Sequence, residues 1–117
     1  MKTVIFGIPN CDTMKKARTW LESHRVSHEF HNYKVSGIER AKLAAWAKVV
    51  GWEALLNRSG TTFRKLPDAA KQNLDETKAL RLMVEQPSLI KRPVLEHGKS
   101  LLLGFSAERY ASLKTGR

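Results

Sequence analysis

Cys11 is the only cysteine among the 117 residues, and it sits in the stretch GIPNCDTMKKARTWL, from Gly7 to Leu21. A thiol becomes a nucleophile as thiolate, and its product with a disulfide is a mixed disulfide. With no second thiol in the chain, that product has to be resolved from outside. Placement favours this chemistry. If Asp12 opens a helix over Asp12–His24, Cys11 is its N-cap, facing unpaired backbone N–H groups and the positive end of the helix dipole. Lys15 and Lys16, one turn along, are expected to add to the field. The competing reading, a small buried apolar residue, is the ordinary fate of a lone cysteine; the strand–turn–helix junction weighs against it.

Arithmetic limits what acidity alone achieves. Lowering a thiol from ~8.5 to ~6.5 raises the thiolate fraction at pH 7 from roughly 3% to roughly 75%. A Brønsted slope of about 0.5 makes that thiolate about tenfold less nucleophilic, so attack gains only about two- to threefold. Low basicity helps departure more, when a second thiol cleaves the mixed disulfide. A larger rate gain requires basic groups that position an anionic substrate.

The elements that carry the thiol can be read from pattern. TVIFGI is a short β-branched apolar run, expected as a buried strand over Thr3–Ile8 and broken by Pro9–Asn10. Met14, Ala17 and Leu21 recur at helical spacing beside Trp20. Arg25–Tyr33 reads as a second strand, parallel to the first across a right-handed crossover. A second helix spans about Glu39–Val50, with Ile38, Leu43, Trp46, Ala47 and Val50 on one stripe and Gly51 as its stop. Asn57–Leu66 reads as a basic, glycine-containing loop. Asp75 is an N-cap for a third helix that points Leu80, Met83 and Val84 inward and ends near Gln86–Pro87. Val94–Glu96 and Ser100–Phe105 form a hairpin around His97–Gly98–Lys99. Ser106 caps a last helix with Ala107, Tyr110 and Leu113 inward. The order predicts an α/β fold in one domain: β-α-β, a helical insertion at about 37–90, then β-β-α, giving a mixed four-stranded sheet.

Bulk composition agrees with a globular chain, at 42% hydrophobic and 27% charged residues. The formal net charge of +10 favours anionic partners without choosing among them. One cysteine suits a reducing compartment, and neither a signal-peptide core nor a bilayer-length apolar run is present, so a cytoplasmic location is expected.

Four separated motifs, GIPNCDTMKKARTWL, LLNRSGTTFRKL, IKRPVL and LLLGFS, together resemble the arsenate reductase (ArsC)-like, glutaredoxin-related family, in its YffB/Spx branch and most of all its YffB-type members. The resemblance covers essentially the whole chain. It implies a thioredoxin-like fold with a helical insertion, and a glutathione-dependent thiol–disulfide oxidoreductase in which one cysteine thiolate forms mixed disulfides. Glutathione is the implied co-substrate, with no bound cofactor, and glutaredoxin is a further implied partner. Cys11 falls on the family nucleophile. Arg92 falls on an arginine that helps hold the oxyanion in arsenate reductases, and Pro93 on the cis-proline that approaches the thiol. X-Pro tolerates cis far better than other bonds, and Pro93 opens a strand, which makes that position plausible.

The sequence also departs from the family. A second oxyanion-binding arginine aligns near Asn57, with only Arg58, Arg64 and Lys65 in the same loop to replace it. A third aligns at Gly104, which has no side chain. Arsenate reduction, in which Cys11 attacks arsenic and glutathione reduces the adduct, is therefore the alternative reaction and not the first expectation. Spx-type regulators, which engage RNA polymerase, switch through a Cys-x-x-Cys pair; here CDTM places Met14 at the second sulfur. Such a regulator without the switch is the rival from another class.

Around the thiol, the candidate substrate-binding residues are Asn10, Thr13, Arg58, Arg64, Arg92 and Pro93; guanidinium forks suit carboxylates and oxyanions. His28 and His31, three apart on a strand, point to opposite faces and cannot easily share an ion, so no metal is expected. Trp20, Trp46 and Trp52 read as core. The basic residues are scattered, which argues against nucleic acid.

Overall fold

The structure, a computed structural model, describes residues 2–115. It divides into two compact units, one made of residues up to Ser36 together with those from Arg92 onward, the other of Gly37–Lys91.

In the first unit β1 (Thr3–Gly7) is central and pairs on both sides. β2 (Glu29–Asn32) runs parallel to it, with Ile5 opposite Phe30. β3 (Val94–His97) runs antiparallel, with Ile5 opposite Leu95, and β4 (Ser100–Leu103) pairs beyond β3, giving the order β2-β1-β3-β4. This is the α/β class and the mixed four-stranded sheet the sequence predicts. α1 (Asp12–Ser23) crosses from β1 to β2, α2 (Tyr33–Ser36) is a single turn after β2, and a last helix spans Ala107–Thr115. Ser106 Oγ accepts the Arg109 N–H at its start (3.4 Å), as a cap should.

Register explains why one sheet face carries this unit's core. Ile5 and Leu95 share a face and pack against Met14, Ala17 and Leu21 of α1 and Tyr110 of the last helix, all fully buried. Each large apolar side chain buried this way contributes about 1.5–3 kcal/mol. The approach is closest at Gly7, where a Cβ would collide with the Met14 thioether. In the hairpin Gly98 (φ 59°) opens a two-residue turn, the position where a positive φ is required.

Three expectations need correction here. β2 begins at Glu29, not Arg25, and Tyr33 belongs to the following turn. Val26 N–H bonds Leu21 O (2.8 Å) and Arg25 N–H bonds Glu22 O (3.1 Å) with Arg25 at φ 58°, so residues 24–26 close α1 instead of starting a strand. Ala107 is exposed, and only Tyr110 of its predicted stripe is fully buried.

The second unit is helical. α3 (Arg40–Val50) buries Leu43, Trp46 and Ala47 and stops at Gly51 (φ 87°). Single turns follow as α4 (Trp52–Leu55), α5 (Thr61–Arg64) and α6 (Asp68–Lys71), so the segment read as a loop holds a helical turn. α7 (Glu76–Glu85) starts at Asp75, whose carboxylate accepts the Lys78 N–H at 2.8 Å. It buries Ala79, Leu80, Leu82 and Met83, leaving Val84 half-buried because Leu82 takes the inward position. A 3-10 turn (Pro87–Leu89) leads to Ile90, which bridges Leu56 antiparallel. The helix over Ala107–Thr115 completes the series as α8.

Candidate active site

Cys11 is the N-cap of α1, extended at φ −136° and ψ 128°, and half-buried beside the core that Met14, Ala17 and Leu21 form. It is neither entombed nor fully free. Partial burial pushes its thiol up, and that is outweighed by groups favouring the thiolate: the Met14 amide, an Arg92 side-chain hydrogen bond, the Thr13 amide and the Arg92 charge. The net direction is down. The side chain makes no capping hydrogen bond, so the helix terminus acts on the sulfur through the dipoles of these amides. Lys15 and Lys16 are exposed and are not among the groups that lower it, against the sequence expectation.

Arg92 reaches this sulfur because of where it sits. The Arg92–Pro93 peptide is cis, Pro93 is fully buried, and β3 begins immediately after at Val94. Pro93 O accepts the Gly104 N–H at 2.8 Å, which ties the turn to the end of β4. Gly104 itself has φ 72°, a conformation that strains any side chain. Arg92 is half-buried, and its charge also bears on Tyr33. Tyr33 is buried, with Phe6 and His31 rings 6.5 and 5.9 Å away, and burial first, then Glu96, raise its hydroxyl while Arg92 opposes them. No sequence signal pointed to Tyr33 or Glu96 as neighbours of Arg92, since both read as ordinary strand residues.

The other predicted residues are placed as follows. Thr13 supplies an amide to the sulfur and is half-buried; Asn10 is exposed in the turn before it. The structure thus brings together Cys11, Thr13 and Arg92, with the Met14 amide as an addition that its side chain gave no hint of, while Pro93 is the buried cis residue that follows Arg92. Arg58 and Arg64 belong to the second unit, each with local contacts. The Arg58 guanidinium lies 5.7 Å from the Trp52 ring centre, and Arg64 donates to Ser59 O at 3.0 Å. Lys65 is exposed. Asn57 organises this loop, its Oδ1 accepting from Ser59 N (3.3 Å) and Oγ (2.9 Å). His28 lies outside β2, its Nδ1 2.9 Å from Val26 O, so the strand-face argument applies to His31 alone. Trp46 is buried, whereas Trp20 and Trp52 are half-buried.

Among the described residues no helix is long and apolar enough to cross a membrane.

Comparison with known proteins converges on one family. The solved structure of a YffB protein is 55% identical, with a TM-score of 0.93 over 96% of this chain and 98% of its own. An uncharacterized protein of Haemophilus influenzae is 41% identical over 106 residues, 91% of this chain and 93% of its own length. The global transcriptional regulator Spx of Streptococcus pyogenes is 29% identical over 89% of this chain and 78% of its own. The fold is the thioredoxin-like α/β fold of these relatives. Because the model of the ArsC family matches residues 6–113, the chain belongs to the ArsC family.

Proposed function

We propose that this protein is a monothiol reductase that uses glutathione. One observation carries the reading: the Cys11 sulfur is lowered by two helix amides and Arg92, while the position for a second sulfur is filled by buried Met14. The Cys11 thiolate attacks one sulfur of a disulfide, forming a mixed disulfide and releasing the other sulfur as thiolate. A glutathione thiolate then attacks the mixed disulfide, restores Cys11 and leaves with the sulfur it captured. The two electrons come from external thiols, so no internal partner is needed. Arg92, always charged, suits a glutathione carboxylate or the departing thiolate. The test is mass spectrometry after treatment with oxidised glutathione. One adduct on the wild type and none on Cys11→Ser supports the reading. No adduct, together with a thiol of ordinary acidity, overturns it.

Reduction of arsenate is the less favoured enzymatic reading, because Gly104 carries no side chain and has a positive φ. The similarity to Spx supports one reading from another class, a regulator that engages RNA polymerase without a disulfide switch. It predicts co-purification with RNA polymerase that survives Cys11→Ser.

A further inference from the structure

α1 presents a second feature, one turn from the thiol. A shallow groove of about 470 Å³ is lined by Lys15, Lys16, Thr19, Trp20, His24 and Phe105, among others. Its volume falls inside the range of about 300–1,000 Å³ found for ligand clefts. The groove begins one helical turn from the nucleophile, at Lys15. Lys15 N–H bonds Cys11 O at 3.0 Å, so Cys11, Lys15 and Thr19 follow one another at intervals of four along one edge of the helix. At a rise of about 1.5 Å per residue, each interval is about 6 Å.

The aromatic part is held rigidly. Trp20 and Phe105 both meet fully buried Tyr110 edge-on, at 5.6 and 4.8 Å, and the His24 ring stacks on Trp20 at 3.9 Å. Rigid aromatics contribute contact area at small entropic cost. Two exposed ammonium groups, Lys15 and Lys16, flank them, and the described groove-lining residues named here carry no carboxylate to neutralise the pair.

From this juxtaposition we propose that the groove receives the polypeptide flanking the target cysteine of a protein disulfide. An acidic side chain of that segment meets Lys15 and Lys16, and an aromatic or aliphatic one rests on Trp20 and Phe105. The inference rests on the monothiol reading above and names its substrate class: a polypeptide disulfide with acidic and apolar neighbours. Cys11 attacks the target sulfur, the other sulfur leaves as thiolate, and the polypeptide stays tethered through the new S–S bond while the groove holds its flanking residues. A glutathione thiolate then takes the polypeptide sulfur and restores Cys11.

The experiment measures reduction by glutathione of three disulfides: the glutathione mixed disulfides of a short Asp- and Phe-flanked cysteine peptide and of a Lys- and Gly-flanked one, and hydroxyethyl disulfide. The wild type should favour the first peptide over the second by about tenfold in kcat/KM. Thr19→Gln, whose longer neutral side chain fills the groove, and the double variant Lys15→Glu/Lys16→Glu, which reverses its charge, should erase that preference. All three positions are exposed, so folding is preserved, and hydroxyethyl disulfide turnover should be unchanged in Thr19→Gln. Equal rates for both peptides with intact hydroxyethyl disulfide turnover overturn the groove and leave the thiol chemistry standing. Loss of all turnover in the wild type overturns the monothiol reading, and this proposal with it. In a second arm, the Asp and Phe peptide with Ser for Cys is titrated into Cys11→Ser protein. Amide and indole resonances of Lys15, Lys16, Trp20 and Phe105 should move. If they respond instead to oxidised glutathione alone, or to the protein's own concentration, the occupant is the tripeptide or a second copy and the proposal is wrong.

Discussion

Arg92 favours the thiolate of Cys11 from the residue immediately before a buried cis-proline. The guanidinium stays charged at any accessible pH, so it acts both on the acidity of the thiol and on where an anion can dock. These two roles separate by reagent. In Arg92→Ala the thiol should return toward ordinary acidity, and alkylation by neutral iodoacetamide at pH 7 should fall only about two- to threefold. Attack on anionic oxidised glutathione should fall about tenfold, the lower end for a charged hydrogen bond at a half-exposed site. Equal losses with both reagents would remove Arg92 from substrate positioning. The same shift fixes a sign for stability. A depressed thiol pKa stabilises the fold above the unfolded value and is lost as pH falls through the folded one. The stability of wild type relative to Cys11→Ser should therefore grow as pH rises through that window, read by urea unfolding.

Met14 occupies the place of a resolving thiol, and its side chain is 1% exposed against Gly7. Met14→Cys would restore a Cys-x-x-Cys pair at a helix N-terminus, the spacing used by dithiol oxidoreductases. Such a variant should close an internal disulfide and accumulate less glutathione adduct than wild type under the same oxidant, by thiol titration and mass. It should also lose about 1–3 kcal/mol of stability, because the shorter side chain leaves a cavity beneath β1. Unchanged adduct yield would show that the sulfur at 14 cannot reach Cys11.

Cys11 and its helix were legible because the signals there are local: a β-branched run, a Pro–Asn break, and an acidic first turn. Asp75 and Gly51 were legible for the same reason, one as a cap and the other as a stop. The close of α1 was not, because the left-handed position that glycine usually takes is held by Arg25. A β-branched, aromatic stretch then invited a strand that starts too early. The site divides along the same line. Arg92 could be inferred only through resemblance, since its approach to the sulfur depends on β3 lying beside β1, a pairing between residues about ninety positions apart. Tyr33 could not be inferred at all, since burial and not motif brings it near Arg92.

Arg25 supplies a direct test of that account. A non-glycine residue in the left-handed region costs roughly 1–2 kcal/mol. Its side chain is exposed, so little packing is at stake. Arg25→Gly should raise the unfolding free energy by up to about 1 kcal/mol, part of the gain being offset by glycine's unfolded-state entropy. Arg25→Val should lower it, as β-branching tolerates positive φ worst. Urea midpoints of the two variants, moving in opposite directions, decide the matter. A loss in both would mean that the arginine side chain itself holds the turn.

Two buried tyrosines should weaken the fold at alkaline pH. Tyr33 and Tyr110 are 4% and 0% exposed, and their hydroxyls have no hydrogen-bond partner among the described residues. Burial is the first cause raising both above the usual 10.0, opposed by Arg92 at Tyr33 and by Arg109 at Tyr110, with Glu96 adding to the rise at Tyr33. The folded state therefore keeps its phenolic protons where the unfolded chain has lost them. Stability is fully present below the unfolded value and falls as pH rises above it, by up to about 1.4 kcal/mol per unit for each tyrosine. Urea unfolding at pH 8, where both are neutral, should show Tyr33→Phe unchanged or stabilised by up to about 1 kcal/mol, since the lost hydroxyl was buried without a partner. Above about pH 10 the double variant Tyr33→Phe/Tyr110→Phe should lose stability far more slowly than wild type. Parallel decline of the two proteins would mean that the hydroxyls reach water in the native ensemble. It would also sever Tyr33 from the buried surroundings that hold it beside Arg92.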